Sequence, residues 1–267
     1  GEDGGVDLAD IDLAIVLGGD GTILRAAELV RSGTAPVLGI NMGHVGFLAE
    51  IDRDAMDAAV QRAVEGDYAV EERLALEVRV KDRSDRVVYE TWALNEATVE
   101  KDSREKMIEV VIEIDRRPLS AFGADGVVIA TPTGSTAYNF SAGGPVIWPS
   151  VQAIAVVPLS AHALFARPLV VGPEHSVAVE VLEGGAGASG VLWCDGRRSH
   201  PLPPGARLSV RRSPQPARPA LPPPAARPDR PVRQVKLPAH AWRGPAAPTP
   251  TVVLSATPAP PPLPYQG

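Results

Sequence analysis

Apolar positions along the chain follow two regimes. Through roughly the first 67 residues, short unbroken apolar runs alternate with stretches of helical period. Residues 11–17 read as a strand, 23–31 as a helix, 36–40 as a second strand, and 54–65 as a helix with Met56, Val60 and Val64 on one face. Alternation of this kind predicts half of a doubly wound α/β sheet. From residue 69 the period drops to two, in runs at 74–81, 87–94, 97–101, 107–114, 127–130, 154–158, 176–182 and 191–194 separated by turn residues. The expected architecture is an α/β domain at 1–67, incomplete as a doubly wound sheet, followed by a β-rich domain at 68–212. Beyond it the pattern dissolves. Twenty of the 28 prolines fall from residue 201 onward, and a segment so short of N–H donors is expected to build neither ladder nor helix, so 213–267 reads as a disordered Pro-rich tail.

Two turns in this pattern carry chemistry. The run at 11–17 empties into Gly18-Gly19-Asp20-Gly21-Thr22 just before the first helix. Glycines there let backbone N–H groups converge on an anion, and the helix adds the positive end of its dipole. A carboxylate is the wrong charge for plain phosphate binding, so Asp20 is either a turn residue or has a task of its own: accepting a proton from an attacking hydroxyl, or holding a phosphate-bound metal ion. The second turn follows the run at 127–130 and reads Thr-Pro-Thr-Gly-Ser-Thr-Ala-Tyr-Asn-Phe-Ser-Ala-Gly-Gly-Pro over 131–145. Thr131, Thr133, Ser135, Thr136 and Ser141 offer short donors and acceptors, Gly134 lets a ligand approach the backbone, and Tyr138 offers a ring face for a base. Taken singly, each hydroxyl could equally cap a helix.

Four segments together, GGDGT at 18–22, NMGHVGFLAE at 41–50, Asn95-Glu96, and DGVVIATPTGSTAYNFSAGGP at 125–145, resemble the NAD kinase family, and the likeness runs from about Asp12 to Arg198. GGDGT alone is also similar to what diacylglycerol, sphingosine and 6-phosphofructo kinases carry; the long fourth segment is the specific one. The resemblance implies an enzyme that phosphorylates the 2′-hydroxyl of the adenosine ribose of NAD to give NADP, with Asp20 as the proton acceptor. It implies Mg²⁺ with ATP, or in some members polyphosphate, as donor. Gly21 and Arg25 match nucleotide-site positions, and Arg25 stands one turn past the glycines, where it could face phosphate oxygens or simply solvent. Asn95 and Glu96 match the pair that holds the adenosine, Lys106 falls where a basic ligand residue is expected, and Asp125, Thr136, Ala137, Tyr138 and Ser141 match the remaining NAD contacts. The domain at 68–212 would then be the NAD-binding one, and the enzyme a dimer or tetramer. A metal-binding residue set is not apparent. The alternatives are a lipid kinase sharing GGDGT and an NAD-binding fragment without activity. Phe47 in the GFLAE segment could line the cleft or the core.

Composition narrows the picture. Aromatic residues are only 4% of the chain, so Leu, Val, Ile and Ala must supply the core. The one cysteine, Cys194, can form neither an internal disulfide nor a thiolate zinc site, which suits a reducing cytoplasm. No run approaches 18 apolar residues, so no membrane span is expected. The first 200 residues hold 17 bases against 31 acids, an acidic body that argues against nucleic-acid binding, while the nine bases and one acid of the remainder are diffuse. His44 and His162 lack partners at metal spacing and read as packing residues. Asp195-Gly196 resembles a family turn near the nicotinamide end of the site and otherwise reads as a hairpin turn. The chain opens at Gly1 about ten residues before the first strand, which reads as a missing strand-helix unit. The tail reads as out-of-frame translation at 213–235 and 245–267 around a recognisable closing segment at 236–244.

Overall fold

Three parallel strands, β1 (Ala14–Leu17), β2 (Val37–Asn41) and β3 (Ile51–Asp52), form the first sheet, in the order β1-β2-β3, with Ala14 opposite Val37 and Ile40 opposite Ile51. The structure is a computed structural model, and it describes residues 11–42, 48, 51–52, 55–163, 166–183 and 188–222. β2 is buried at all five positions, as a parallel strand covered on both faces must be. Helix α1 (Asp20–Leu29) connects β1 to β2 and buries Ile23 against Val16 and Val37. Helix α2 (Met56–Val64) buries Ala63, with Met56 and Val60 packed partly against Leu38, Ile40 and Ile51. Val64, expected on the same face, is 79% exposed: the last turn has rotated it away from the sheet.

The remainder is a sandwich of two six-stranded antiparallel sheets. The first contains β7 (Glu96–Lys101), β10 (Gly126–Ala130), β11 (Ile154–Leu159), β12 (Leu169–Val171), β14 (Gly190–Cys194) and β15 (Arg198–Leu202), ordered β12-β11-β10-β7-β14-β15. The second contains β5 (Leu76–Lys81), β6 (Val87–Ala93), β8 (Ile108–Ile114), β9 (Arg117–Ala124), β13 (Val177–Val181) and β16 (Arg207–Arg212), ordered β6-β5-β16-β13-β8-β9. Inward-pointing positions, among them Val78, Ile112, Val179 and Val210 from one sheet and Val99, Ile129, Val156 and Leu192 from the other, form one aliphatic core. Cys194 lies within it, and burial pushes its thiol up to about 12, so it behaves as a small hydrophobe.

The chain does not become irregular at residue 213. Residues 213–222 run back to the first sheet, where the Val37 N–H donates to the Arg218 carbonyl, Arg73 and Ala217 exchange backbone bonds, and β17 (Ala220–Leu221) pairs with β4 (Ala69–Val70). Ala220 and Leu221 are buried, Ala220 against Leu38 and Ile40. A disordered tail from 213 onward is therefore corrected for these ten residues; 223–267, including 236–244, lie outside the described residues. So do residues 43–47, and with them His44 and Phe47.

Candidate functional site

The three glycines after β1 have different duties. A Cβ at Gly18 would run into the Thr22 side chain, so glycine there is required by close packing, whereas a Cβ at Gly19 or Gly21 would meet nothing within 4 Å. At Gly19 and Gly21 the backbone is left bare beside the N-terminus of α1, the arrangement an anion uses. Asp20 opens the helix, half-buried, and its Oδ1 accepts the Leu48 N–H at 2.8 Å, tying the segment after β2 to the glycine turn. Arg25, on the exposed side of α1, lies 3.7 Å from Glu28, whose Oε2 is also 3.5 Å from Arg197 Nε.

The bend that joins β6 to β7 holds Asn95, and Glu96 opens β7 directly after it. The bend is built by a residue 100 positions away. The buried Asp195 carboxylate accepts the N–H groups of Leu94 at 3.0 Å, Asn95 at 2.7 Å and Glu96 at 3.4 Å, and pairs with Arg198 Nη2 at 2.7 Å. From the other side the Thr131 N–H donates to the Asn95 carbonyl at 2.9 Å and the Thr131 hydroxyl to the Leu94 carbonyl at 2.6 Å. Gly134 sits so close under this bend that a Cβ there would penetrate the Asn95 carbonyl. Because the Asn95 wall is backbone, Gly134→Ala is expected to cost about 3 kcal/mol of stability, measured by denaturant unfolding. An unchanged stability would show that the loop and the bend are not packed together.

Within the bend, Asn95 Oδ1 and Glu96 Oε2 are buried and have no hydrogen-bond partner among the described residues. Such atoms are costly unless something else binds them. Burial, reinforced by the Asp195 charge, pushes the Glu96 carboxyl up to about 8, with the Tyr138 N–H opposing. Burial also raises Asp195, but three N–H donors and Arg198 oppose it. Glu96 therefore carries its proton at neutral pH, while Asp195 is the carboxyl surrounded by donors and a guanidinium. Folded Glu96 keeps its proton up to about pH 8 while the ordinary carboxyl releases it near 4.5, so this residue's contribution favours folding below 4.5 and is lost as pH rises through that window. Glu96→Gln cannot ionise, and its stability relative to the parent is expected to rise by a few kcal/mol between pH 5 and pH 8, read from urea unfolding at each pH. A pH-independent difference would mean that Glu96 is ionised throughout.

The hydroxyl-rich loop at 131–147 divides into scaffold and surface. Thr131, Ser135 and Asn139 are fully buried; the first two are spent on holding the loop, whereas Asn139 uses its Nδ2 and leaves Oδ1 without a hydrogen-bond partner among the described residues. Ser135 Oγ donates to the Pro132 carbonyl at 2.7 Å and accepts the Ile147 N–H at 2.9 Å, while Asn139 Nδ2 donates to the Ser135 and Pro145 carbonyls, each at 3.0 Å. Reading Thr131 and Ser135 as ligand donors is corrected by these bonds. Thr136 and Ala137 are half-buried, Tyr138 and Ser141 exposed. Burial and the charges of Glu100, Glu96 and Asp125 together raise the Tyr138 phenol, so these carboxyls lie around one ring. Asp125 pairs with Lys101 at 2.6 Å, which, with a Ser160 hydrogen bond, holds it below the usual carboxylate range. Lys106 is exposed, on the approach to β8.

The two halves share a cavity. Ile23 and Leu48 from the first sheet's side line it together with Leu94, Thr133, Arg73 and residues 217–220. Asp195 and Arg198 were not found as site residues from sequence. The only signal was Asp195-Gly196, and the turn it announces does exist, with Asp195 at φ +53°. Among the described residues no group of three or more His, Cys, Asp or Glu side chains could hold a metal ion. Nor is any described helix long and apolar enough to cross a membrane.

Comparison with known proteins adds to this geometry. The model of the ATP-NAD kinase N-terminal domain matches residues 6–68, and that of the ATP-NAD kinase C-terminal domain matches 94–220. The chain is 65% identical over 237 residues to an NAD kinase of Leifsonia xyli, covering 89% of this chain and 77% of that protein. It is 56% identical over 249 residues to an NAD kinase of Thermobifida fusca, covering 92% and 76%. Among solved structures, it superposes on yeast NADH kinase complexed with NADH with a TM-score of 0.76 at 27% identity, covering 85% of this chain and 65% of that one. On an NAD kinase from Archaeoglobus fulgidus in complex with ATP the TM-score is 0.66 at 30% identity, covering 79% and 78%.

Proposed function

This chain belongs to the NAD kinase family and phosphorylates NAD to NADP, and from that premise we propose how its residues divide the work. Asp20 takes the proton from the 2′-hydroxyl of the adenosine ribose as that oxygen attacks the γ-phosphorus of ATP. The bond from the γ-phosphorus to the bridging oxygen breaks, and ADP leaves with the electron pair. The bare backbone at Gly19 and Gly21 and the start of α1 cradle the donor's phosphates. The single observation that carries the NAD assignment is the buried pair of unpartnered acceptors, Asn95 Oδ1 and Glu96 Oε2, at a bend rigidly held by Asp195. A nucleoside's hydroxyl and amino donors are what such atoms lack, and the protonated Glu96 adds a donor in return. Asp125, Thr136, Ala137, Tyr138 and Ser141 flank the rest of the dinucleotide, and Arg25 and Lys106 supply positive charge at its margins.

The residues present fit Mg²⁺ only as an ion carried on the donor's phosphates with Asp20 beside it, because the described residues offer no cluster of their own. When bound there, the ion supplies neutralisation of the charge that develops on the phosphoryl oxygens. ATP is the donor we assign, supported by the archaeal relative solved with ATP; polyphosphate is an arm of the test. The lone buried Cys194 supports a reducing, cytoplasmic setting, and the exposed Phe140, Val146, Trp148 and Val151 support a homo-oligomer. Nucleic acid and membrane are not partners in this reading.

The decisive assay couples NADP formation to an NADP-specific dehydrogenase, with ATP and with polyphosphate, and runs diacylglycerol and sphingosine as alternative acceptors. NADP made only with NAD as acceptor is the expected result. Phosphorylation of a lipid alone would overturn the reading, and NAD binding without product would leave a binding protein.

A further inference from the structure

Helix α1 has Asp20 as its first residue and Arg31 just past its end, and what fixes one end of a ten-residue helix fixes the other. Arg31 is held firmly. Its guanidinium donates to the Pro216 carbonyl at 3.0 Å, the Gln215 carbonyl at 2.7 Å and Ser213 Oγ at 2.8 Å, and lies 4.3 Å from the centre of the Trp92 indole. Trp92 is the penultimate residue of β6, three positions before Asn95. A second guanidinium, that of Arg198, lies 4.8 Å from the same indole centre and is the one paired with Asp195. Its neighbour Arg197 reaches back to Glu28 on α1.

We propose that Trp92, clasped by Arg31 and Arg198, is a positioning residue: with the turn at 195–198 it forms a latch that fixes Asp20 relative to the Asn95-Glu96 bend, and so aligns the proton acceptor with the ribose. The inference rests on the roles given to Asp20 and Asn95 above. The chain of contacts is continuous: α1 to Arg31, Arg31 to Trp92, Trp92 to Arg198, Arg198 to Asp195, and Asp195 to the N–H groups of Leu94, Asn95 and Glu96. Two like charges at one ring are an unfavourable choice for mere adhesion. Burial and the nearby Arg198 lower Arg31 to about 10, a sign that the pair is crowded. The electron-rich indole is the side chain that can attract both cations at once. Each half of the site already has its own bonds, so the latch sets the register between halves rather than the shape of either. Phosphoryl transfer is sensitive to such register, where a misplacement of about 1 Å can cost on the order of a hundredfold in rate.

The test compares Trp92→Leu, which removes the ring, with Trp92→Phe, which keeps a π face. For each, kcat, the KM values, the NAD dissociation constant and the melting temperature are measured. Trp92→Leu is expected to lower kcat about 10- to 100-fold while the NAD dissociation constant stays within about threefold, because most of the groups assigned to NAD lie in the second half. Trp92→Phe should recover most of that loss. Val181→Ala, in the sandwich core far from α1, controls for lost stability. The latch is overturned if Trp92→Leu turns over at the parent rate, if Phe rescues nothing, or if kcat falls no further than in Val181→Ala at a matched melting temperature. Should Trp92→Leu fail to fold, Trp92→Met, which also lacks a π face, is read by the same criteria. A parent protein that makes no NADP fails the proposed function itself, which separates the two outcomes.

Discussion

Asp20→Asn should reduce kcat by about 10² to 10⁴, the range a positioned general base contributes, with the NAD dissociation constant within a few-fold of the parent. The substitution keeps the bond that Asp20 makes to the segment after β2. Asp20 Oδ1 accepts the Leu48 N–H at 2.8 Å, and an asparagine amide keeps an oxygen that can accept the same bond, so the glycine turn and the segment it anchors are retained. What is lost is the basic lone pair and one negative charge at a helix N-terminus. The second loss lowers helix stability by about 0.3–1 kcal/mol and makes the phosphate cradle more positive, so the KM for ATP should be unchanged or lower. Steady-state kinetics with both substrates varied, together with NAD titration of the free protein, separate these effects. A parallel fall of kcat and NAD affinity would mean that Asp20 acts in binding, and the assignment of the proton acceptor would be lost.

The glycine turn that carries Asp20 was legible from local pattern: an apolar strand, glycines that permit a bare backbone, and a helical period are all contained in one short segment. The same holds for the central strands of the sandwich, whose alternation is a property of each strand alone. β9 escaped because its hairpin has no glycine signal. Its turn residues Asp115 and Arg116 adopt φ of +50° and +65°, and the turn is held by the Ser176 N–H, which donates to Asp115 at 2.9 Å from another strand's entrance. β15 contains Pro201, tolerated because the strand lies at a sheet edge. The segment at 213–222 was misread for a related reason. Proline has no N–H to give, but its carbonyl accepts as well as any other, and here the Pro216 and Pro219 carbonyls accept from Arg31 and from the Glu71 N–H. A proline-rich stretch can therefore close a domain from its acceptor side. In the loop at 131–147, hydroxyl density did not tell which hydroxyls are left over, because Thr131 and Ser135 are consumed in making the loop.

Asp195 marks the limit of local reading most sharply, since its partners are about 100 residues away, and its removal is expected to have the largest structural effect. Asp195→Ala would leave the N–H groups of Leu94, Asn95 and Glu96 without their acceptor and Arg198, whose side chain is only 16% exposed, without its counter-ion. Breaking a buried pair in this way costs about 3–5 kcal/mol, against which a typical domain holds roughly 5–15. NAD affinity should fall at least tenfold with it, because the bend that presents Asn95 and Glu96 is no longer fixed. Asp195→Asn divides the effect into its parts. The amide oxygen can still accept from the bend, so more of the fold should survive, but the charge that helps to raise Glu96 is gone. Glu96 then titrates below about pH 8, so the loss of stability with rising pH still begins near 4.5 but ends sooner and is smaller than in the parent. Urea unfolding across pH 5 to 9 reads both variants. If Asp195→Ala retained the parent's stability and NAD affinity, the bend would have to be held by Thr131 and Gly134 alone, and the path from α1 through Trp92 and Arg198 would end at a residue that positions nothing.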